Sequence, residues 1–174
     1  VALKILKTKP DDDACRMMNW FIREGRLGGL LRHPNIVDVY EFGEEEDYRF
    51  IAMELLEGKD LFEVSLMGPL PVDLVLRIGE MVARALDAAH SLVIDGVSSP
   101  VVHRDLKPAN IFLDKFGGVK VLDFGVAWLG GSEAEDRLIC GTPEYMAPEQ
   151  AVGVGEDMGA KTDVYLLAAS LWHA

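Results

Sequence analysis

The alternation of apolar and polar side chains predicts strands near the start of the chain and helices further along. Residues 1–6 alternate as in a strand, and residues 36–42 and 48–55 are predicted to form a strand pair joined by the acidic run at residues 44–47. A long helix beginning at Pro71 is predicted from apolar positions at helical spacing, which are Leu74, Ile78, Met81, Val82, Ala85 and Ala89. This helix should line a core.

The remaining elements follow from turn and capping signals. The run Pro-Asp-Asp-Asp at residues 10–13 predicts a turn and a helix start, with the helix continuing to about residue 31. After residue 101 the pattern changes to short β runs, at residues 111–113 and 119–122, separated by polar and glycine-rich turns. Loops on such a scaffold often carry chemistry. Beyond Pro148 the chain is predicted to be helical, so the whole indicates an α+β fold.

Composition and charge narrow the classes of function. The chain has 174 residues, 49% of them hydrophobic and 26% charged, which is typical of a globular domain. Its net charge of −12 argues against a nucleic-acid partner, because binding to phosphate backbones depends largely on Lys and Arg. Cys15 and Cys140 form no metal or disulfide pattern, which favours a reducing, cytoplasmic compartment. No apolar run within these residues is long enough to predict a membrane span.

Both ends of the chain are predicted to be cuts through a longer domain. The first residue is Val1, within a strand pattern and without an initiator methionine. The last is Ala174, two residues after the end of an apolar run at residues 164–172 that has no C-terminal cap.

Three motifs in a fixed order carry the most specific signal. Residues 103–110 are His-Arg-Asp-Leu-Lys-Pro-Ala-Asn, residues 123–125 are Asp-Phe-Gly, and residues 147–149 are Ala-Pro-Glu. With these motifs the chain resembles the eukaryotic-like, bacterial-type Ser/Thr protein kinases over nearly its whole length. The resemblance implies an incomplete two-lobed kinase fold. Residues 1–57 would be a partial small lobe with the hinge, and residues 58–174 a partial large lobe with the catalytic and activation loops.

The resemblance assigns the phosphoryl-transfer chemistry to four residues. Asp105 matches the catalytic carboxylate that orients the substrate hydroxyl and accepts its proton, and Lys107 matches the lysine that contacts the γ-phosphate. Asn110 and Asp123 match the two metal ligands, and their oxygen atoms suit Mg²⁺. A single Asp or Asn is more often a turn residue, but this order and spacing make that interpretation improbable.

The nucleotide site is implied by the same resemblance. Lys4 matches the lysine that holds the α- and β-phosphates of ATP, and Glu24 matches the helix glutamate that pairs with it. The adenine site is implied to consist of the gatekeeper Met53, the backbone of Glu54 and Leu56 in the hinge, and the apolar Ala2 and Phe112. For these apolar residues, ordinary core packing is compatible with the functional role.

Substrate choice and regulation are implied by a further group of residues. Lys107 and the run Gly-Thr-Pro at residues 141–143 are typical of Ser/Thr rather than Tyr kinases, and Thr142 would tie the substrate-binding segment to Asp105. Arg104 matches an arginine that pairs with a phosphorylated activation-loop residue, for which Ser132 is the candidate. An unmodified flexible turn at residues 130–132 is an equally good interpretation.

Several other polar residues are predicted to be structural. Asp163 matches a buried aspartate that hydrogen-bonds the catalytic loop, and His103 belongs to an internal spine with Phe124 rather than to acid–base chemistry. His90 and His173 show no partner pattern and are predicted to be incidental.

The sequence therefore predicts that the parent protein transfers the γ-phosphate of Mg·ATP to Ser or Thr hydroxyls of protein substrates. The alternative is that the chain itself is a catalytically incompetent, pseudokinase-like binding module, because no glycine-rich phosphate loop precedes Val1 and no helices follow the one that contains Asp163.

Overall fold

The structure is a computed structural model that describes residues 1–7, 21–22, 25, 27–45, 48–124, 128–129, 141–152 and 158–174. The strands in this part of the chain are β1 (Ala2–Lys7), β2 (Val39–Glu44), β3 (Tyr48–Met53), β4 (Gly58–Asp60), β5 (Val93–Ile94), β6 (Val97–Ser98), β7 (Val101–Val102), β8 (Ile111–Asp114), β9 (Val119–Val121) and β10 (Trp128–Leu129). The helices are α1 (Leu61–Ser65), α2 (Val72–His90), α3 (Pro148–Val152) and α4 (Ala160–Trp172), with a 3₁₀ turn at Pro108–Asn110. Residues 27–30 are also helical.

The first sheet is antiparallel with strand order β1-β3-β2, and its register places Lys4 of β1 opposite Ile51 of β3. The strand predicted at residues 36–42 begins later than expected, at Val39. Ile36 instead forms an isolated parallel bridge with Val121, so the preceding segment pairs with β9 rather than with β3. This bridge joins the segment before β2 to β9, the strand that leads into residues 123 and 124.

The main core forms around α2, as its helical periodicity predicted. The buried residues of this helix include Ile78, Val82, Ala85 and Ala89, and fully burying an aliphatic side chain contributes about 1.5–3 kcal/mol. Leu74 does not follow the prediction, since it is 40% exposed. It lies in the first turn of α2, at the margin of the core. A smaller cluster of Phe21, Val39 and Ile51 lies under the first sheet.

The predicted catalytic loop begins directly after β7 and ends in the 3₁₀ turn. The loop runs from His103, after β7, to the 3₁₀ turn, and β8 and β9 follow in a sheet of order β4-β8-β9.

Among the residues that the structure describes, no helix is both long and apolar enough to cross a bilayer. The predicted boundary between the lobes at residues 57 and 58 stays a prediction.

Candidate active site

The backbone of the predicted catalytic loop is held by one buried carboxylate on α4. Asp163 is fully buried, and its two oxygens accept hydrogen bonds from the backbone N–H of His103 at 2.8 Å and of Arg104 at 2.9 Å. Arg104 has a φ of 67°, a left-handed conformation that is unfavourable for a residue with a side chain. Charge-assisted bonds are about twice as strong as neutral ones, and here they stabilise this strained turn just before Asp105.

His90 is a third partner of the same carboxylate, which makes its predicted incidental role wrong. Its Nε2 atom lies 2.7 Å from Oδ2 of Asp163, although 73 residues separate the two in sequence. His90 is at the end of α2, where the helix packs close to α4. The ring of His173 packs edge-on against Tyr145 with centroids 5.4 Å apart, and its predicted incidental role stays a prediction.

Both ring nitrogens of His103 make hydrogen bonds to the backbone. Nε2 lies 2.9 Å from the Leu122 carbonyl oxygen, and Nδ1 lies 3.3 Å from the backbone nitrogen of Asp105. A carbonyl can only accept and a backbone N–H can only donate, so the hydrogen-bond network assigns the neutral tautomer with its proton on Nε2. The ring also packs against Phe124, with centroids 4.7 Å apart. This environment leaves no nitrogen for acid–base chemistry.

The Asp105 side chain is held in a triangle of hydrogen bonds. Its Oδ1 accepts from Thr142 Oγ1 at 2.8 Å, and its Oδ2 accepts from Lys107 Nζ at 3.0 Å. Lys107 Nζ also donates to Thr142 Oγ1 at 2.8 Å. The three residues that the sequence assigned to catalysis therefore lie in direct contact, and both carboxylate oxygens are oriented.

The two predicted metal ligands lie on neighbouring strand ends. The side-chain nitrogen of Asn110 donates to the Asp105 carbonyl oxygen at 2.9 Å, so its Oδ1 atom is the one that can accept a cation. The Asn110 carbonyl accepts from the backbone N–H of Leu122 at 2.9 Å, which brings Asn110 beside Asp123. Asp123 has a φ of 56° and its Oδ1 lies 2.7 Å from Lys4 Nζ.

Lys4 has a described contact that the sequence did not predict. Glu24 lies outside the described residues, so its pairing with Lys4 stays a prediction. The described contact is the ion pair between Lys4 and Asp123, whose side chains are 39% and 45% exposed. Partly exposed ion pairs contribute little to stability. This pair brings a cation and a carboxylate together at the phosphate side of the predicted nucleotide site.

A cavity of about 310 Å³ opens beside this ion pair. Its lining residues are Ala2, Leu3, Lys4, Gly28, Ile36, Val37, Val39, Met53, Leu122, Asp123 and Phe124. Four predicted nucleotide-site or metal-site residues therefore share one cavity, namely Ala2, Lys4, Met53 and Asp123. Glu54, Leu56 and Phe112 do not line it.

Glu54, in the predicted hinge, makes contacts that the sequence did not predict. Its backbone N–H donates to the Asp38 carbonyl at 2.8 Å, and its Oε2 atom lies 2.8 Å from Lys120 Nζ. Lys120 on β9 also donates to the Ile36 carbonyl at 3.3 Å. Glu54 thereby connects the hinge to β9, and only its carbonyl side remains to meet a ligand through the backbone.

The structure describes one of the two residues in the regulatory prediction. Arg104 is buried, at 4% exposure, whereas Ser132 lies outside the described residues. Pairing of Arg104 with a phosphorylated Ser132 therefore stays a prediction.

The pKa of Glu149, in the third motif, is lowered. Its own backbone N–H and the Thr162 hydroxyl, whose Oγ1 lies 2.8 Å from Oε1, hold the pKa of the Glu149 carboxyl below its usual range. The contact links the start of α3 to the start of α4. Burial, with a smaller effect from Glu144, raises the pKa of Tyr145 nearby.

The family model described as "Protein kinase domain" matches residues 1–174, the whole of the chain. The chain belongs to the protein kinase domain family. The predicted kinase fold, with a β-sheet small lobe and a helical large lobe, is thereby confirmed. Kinase domains use ATP and a divalent metal ion, and they act on protein substrates.

Relatives of this kinase domain include several bacterial proteins. It is 37% identical over 176 residues to the serine/threonine-protein kinase PrkC of Bacillus subtilis (strain 168), covering 99% of this chain and 26% of that protein. It is 36% identical over 173 residues to the serine/threonine-protein kinase pkn2 of Myxococcus xanthus, covering 95% of this chain and 20% of that protein. A third relative, the tyrosine-protein kinase MasK of Myxococcus xanthus (strain DK1622), is 41% identical over 169 residues, which is 88% of this chain and 25% of MasK. The kinase domain described here thus spans between a fifth and about a quarter of these proteins' lengths.

The donor set of this kinase domain fits a metal that is shared with a phosphate ligand. Among the described residues no three His, Cys, Asp or Glu side chains are grouped to hold a metal by themselves. Asn110 and Asp123 supply two hard oxygen donors, which is the number that Mg²⁺ takes from a protein when phosphates and water fill its other positions. The residues present therefore fit a metal–nucleotide complex.

Proposed function

We propose that the protein containing this chain is an ATP-dependent serine/threonine protein kinase that phosphorylates proteins. The observation that carries the proposal is the position of Asp105, held by Lys107 and Thr142 and bonded through its backbone to Asn110. Phosphoryl transfer needs a positioned hydroxyl and charge compensation at the phosphate, and these groups meet both needs.

In the proposed reaction, Asp105 hydrogen-bonds the substrate hydroxyl and receives its proton as the oxygen bonds to the γ-phosphorus. The bond between that phosphorus and the bridging oxygen breaks, so ADP leaves with the electron pair. Lys107, which is 3.0 Å from the carboxylate, would contact the transferred group, and Thr142 would fix the carboxylate's orientation. General base assistance of this kind typically contributes 10²–10⁴-fold in rate.

The nucleotide would be held by Lys4 and Asp123, which line the cavity, together with Asn110, Glu54 and Leu56, which do not line it. Asn110 and Asp123 would hold Mg²⁺, which when bound neutralises charge on the phosphate oxygens. Lys4 would contact the phosphates, and the Glu54 carbonyl with the Leu56 N–H would bind adenine between the apolar Ala2 and Phe112, with Met53 as the gatekeeper. ATP as substrate and the absence of a cysteine pattern favour a cytoplasmic location.

The kinase assignment is favoured over a binding module. The catalytic and metal-binding positions are all occupied by competent residue types, and PrkC and pkn2 are named serine/threonine kinases. MasK is named a tyrosine kinase, so the acceptor residue is the part of the proposal that most needs a direct test.

The experiment uses the full-length protein, labelled Mg·ATP, and peptide libraries whose sole acceptor is Ser, Thr or Tyr. Label is expected on Ser and Thr, with a loss of about 10²–10⁴-fold in Asp105→Asn. Asp95→Asn is the matched control, because Asp95 is exposed in the β5–β6 turn, where its φ of 51° is one that asparagine tolerates. Labelling confined to Tyr would overturn the acceptor assignment, and equal activity of the wild type and Asp105→Asn would overturn the mechanism.

A further inference from the structure

One fully buried amide, that of Gln150 on α3, connects two parts of the site. Its Oε1 accepts from the backbone N–H of Ala147 at 3.0 Å, and its Nε2 donates to the Arg104 carbonyl at 2.7 Å. The two partners fix the orientation of the amide, since one can only donate and the other can only accept. A buried amide with both ends satisfied specifies one arrangement of the segments it joins.

The bond to Arg104 completes a clamp on the strained turn. The N–H of Arg104 is held by Asp163 at 2.9 Å and its carbonyl by Gln150 at 2.7 Å. A left-handed residue persists only where its surroundings over-determine it. Because Asp105 is the next residue, the two bonds set the direction in which its side chain leaves the backbone.

The other end of the amide reaches the segment that carries Thr142. Gly141 has a φ of 125°, and a Cβ atom there would lie 3.2 Å from Gln150 Nε2 and 3.3 Å from the Arg104 carbonyl oxygen. The chain therefore passes directly over this hydrogen bond before Thr142 contacts Asp105. Residues 141–147 are thus joined to the catalytic loop twice, once by Thr142 and once by Gln150.

We infer that Gln150 is a positioning residue that holds residues 141–147 in register with Asp105, so that a protein hydroxyl, rather than water, receives the phosphate. This inference rests on the proposed function. The two described hydrogen bonds of Gln150 join residues 141–147 to the residue before Asp105, so the expected effect is on the acceptor.

The test compares two reactions of the full-length protein, phosphate transfer to a Ser peptide and ATP hydrolysis by water. Gln150→Glu keeps the acceptor for Ala147 but removes the donor to Arg104, and Gln150→Met removes both while keeping a long side chain. The ratio of peptide transfer to hydrolysis is expected to fall roughly 10- to 100-fold in both variants, with the KM for ATP unchanged. This ratio does not depend on the fraction of protein that is folded. Val152→Ala, at an exposed position of α3, should leave it unchanged.

Amide hydrogen exchange separates failure of the inference from failure of the proposed function. Faster exchange is expected at Ala147 in Gln150→Met, and across residues 103–106 in both Gln150 variants, relative to Val152→Ala. A wild-type protein that transfers no phosphate to any acceptor overturns the proposed function. An active protein whose Gln150 variants keep the wild-type ratio, or exchange rates equal to those of Val152→Ala, overturns the inference.

Discussion

Replacing Gly28 with alanine is expected to destabilise the protein, although alanine normally favours a helix over glycine. Gly28 lies in the helical residues 27–30 and is buried against β2. A Cβ atom at this position would lie 2.3 Å from Cγ2 of Val39, well inside the roughly 3.5–4.0 Å of an optimal carbon–carbon contact. Val39 is itself buried beside Phe21 and Ile51, so its movement is opposed by the small core.

The neighbouring Gly29 provides a matched control for this substitution. It is helical and exposed, and a Cβ there would meet nothing within 4 Å. Overpacking at Gly28 costs about 1–3 kcal/mol, whereas the change from glycine to alanine in a helix favours folding by about 0.5–1 kcal/mol at either site. The two variants are therefore expected to differ by about 1–3 kcal/mol in the free energy of unfolding. For a chain of this size that is a difference of about 2–12 °C in Tm.

The difference in free energy of unfolding between the two variants is measured by urea unfolding, fitted with a shared m value, and by thermal unfolding. Gly28→Ala should have the lower midpoint and Gly29→Ala a midpoint at or slightly above that of the wild type. If Gly28→Ala were as stable as Gly29→Ala, the close approach of the helix to Val39 would be refuted as the reason for glycine at this position.

Three further substitutions test the contacts around the site. Asp163→Asn leaves one of three donors, two backbone N–H groups and His90, without an acceptor, and should lower the free energy of unfolding by about 1–3 kcal/mol; an unchanged urea midpoint would contradict this. Lys4→Met should weaken Mg·ATP binding about tenfold or more, measured as a smaller ATP-dependent rise in Tm, and an undiminished rise would exclude a phosphate contact. Thr162→Val should cost about 1 kcal/mol at pH 7. Folding lowers the pKa of Glu149, so the ionised carboxylate stabilises the folded state above its ordinary pKa of 4.5. This stabilisation is lost as the pH falls through the pKa of the folded state. The destabilisation caused by Thr162→Val should therefore be smaller in acid. A cost that is independent of pH would show that the Thr162 hydroxyl does not act through Glu149.

The elements and the candidate chemistry were largely predictable from local patterns. Periodicity located β1, β3 and α2, because a helix or strand that covers a core repeats its apolar positions regardless of what it packs against. The order and spacing of the three motifs identified Asp105, Lys107, Asn110 and Asp123 as candidates. Periodicity failed at Ile36, whose pairing with Val121 depends on a distant strand that a local pattern does not reveal.

By itself, then, the sequence determined the family and the residue types at the site, since those are carried by motifs of a few adjacent residues. The tertiary structure decided which polar groups meet. His90 and Asp163 are 73 residues apart, and Gln150 and Arg104 are 46 apart. No local pattern marks His90 or Gln150 as a partner of these residues. Their contacts depend on how α2, α3 and α4 pack around the catalytic loop, and hydrogen bonds form only when that packing brings donor and acceptor within about 3 Å.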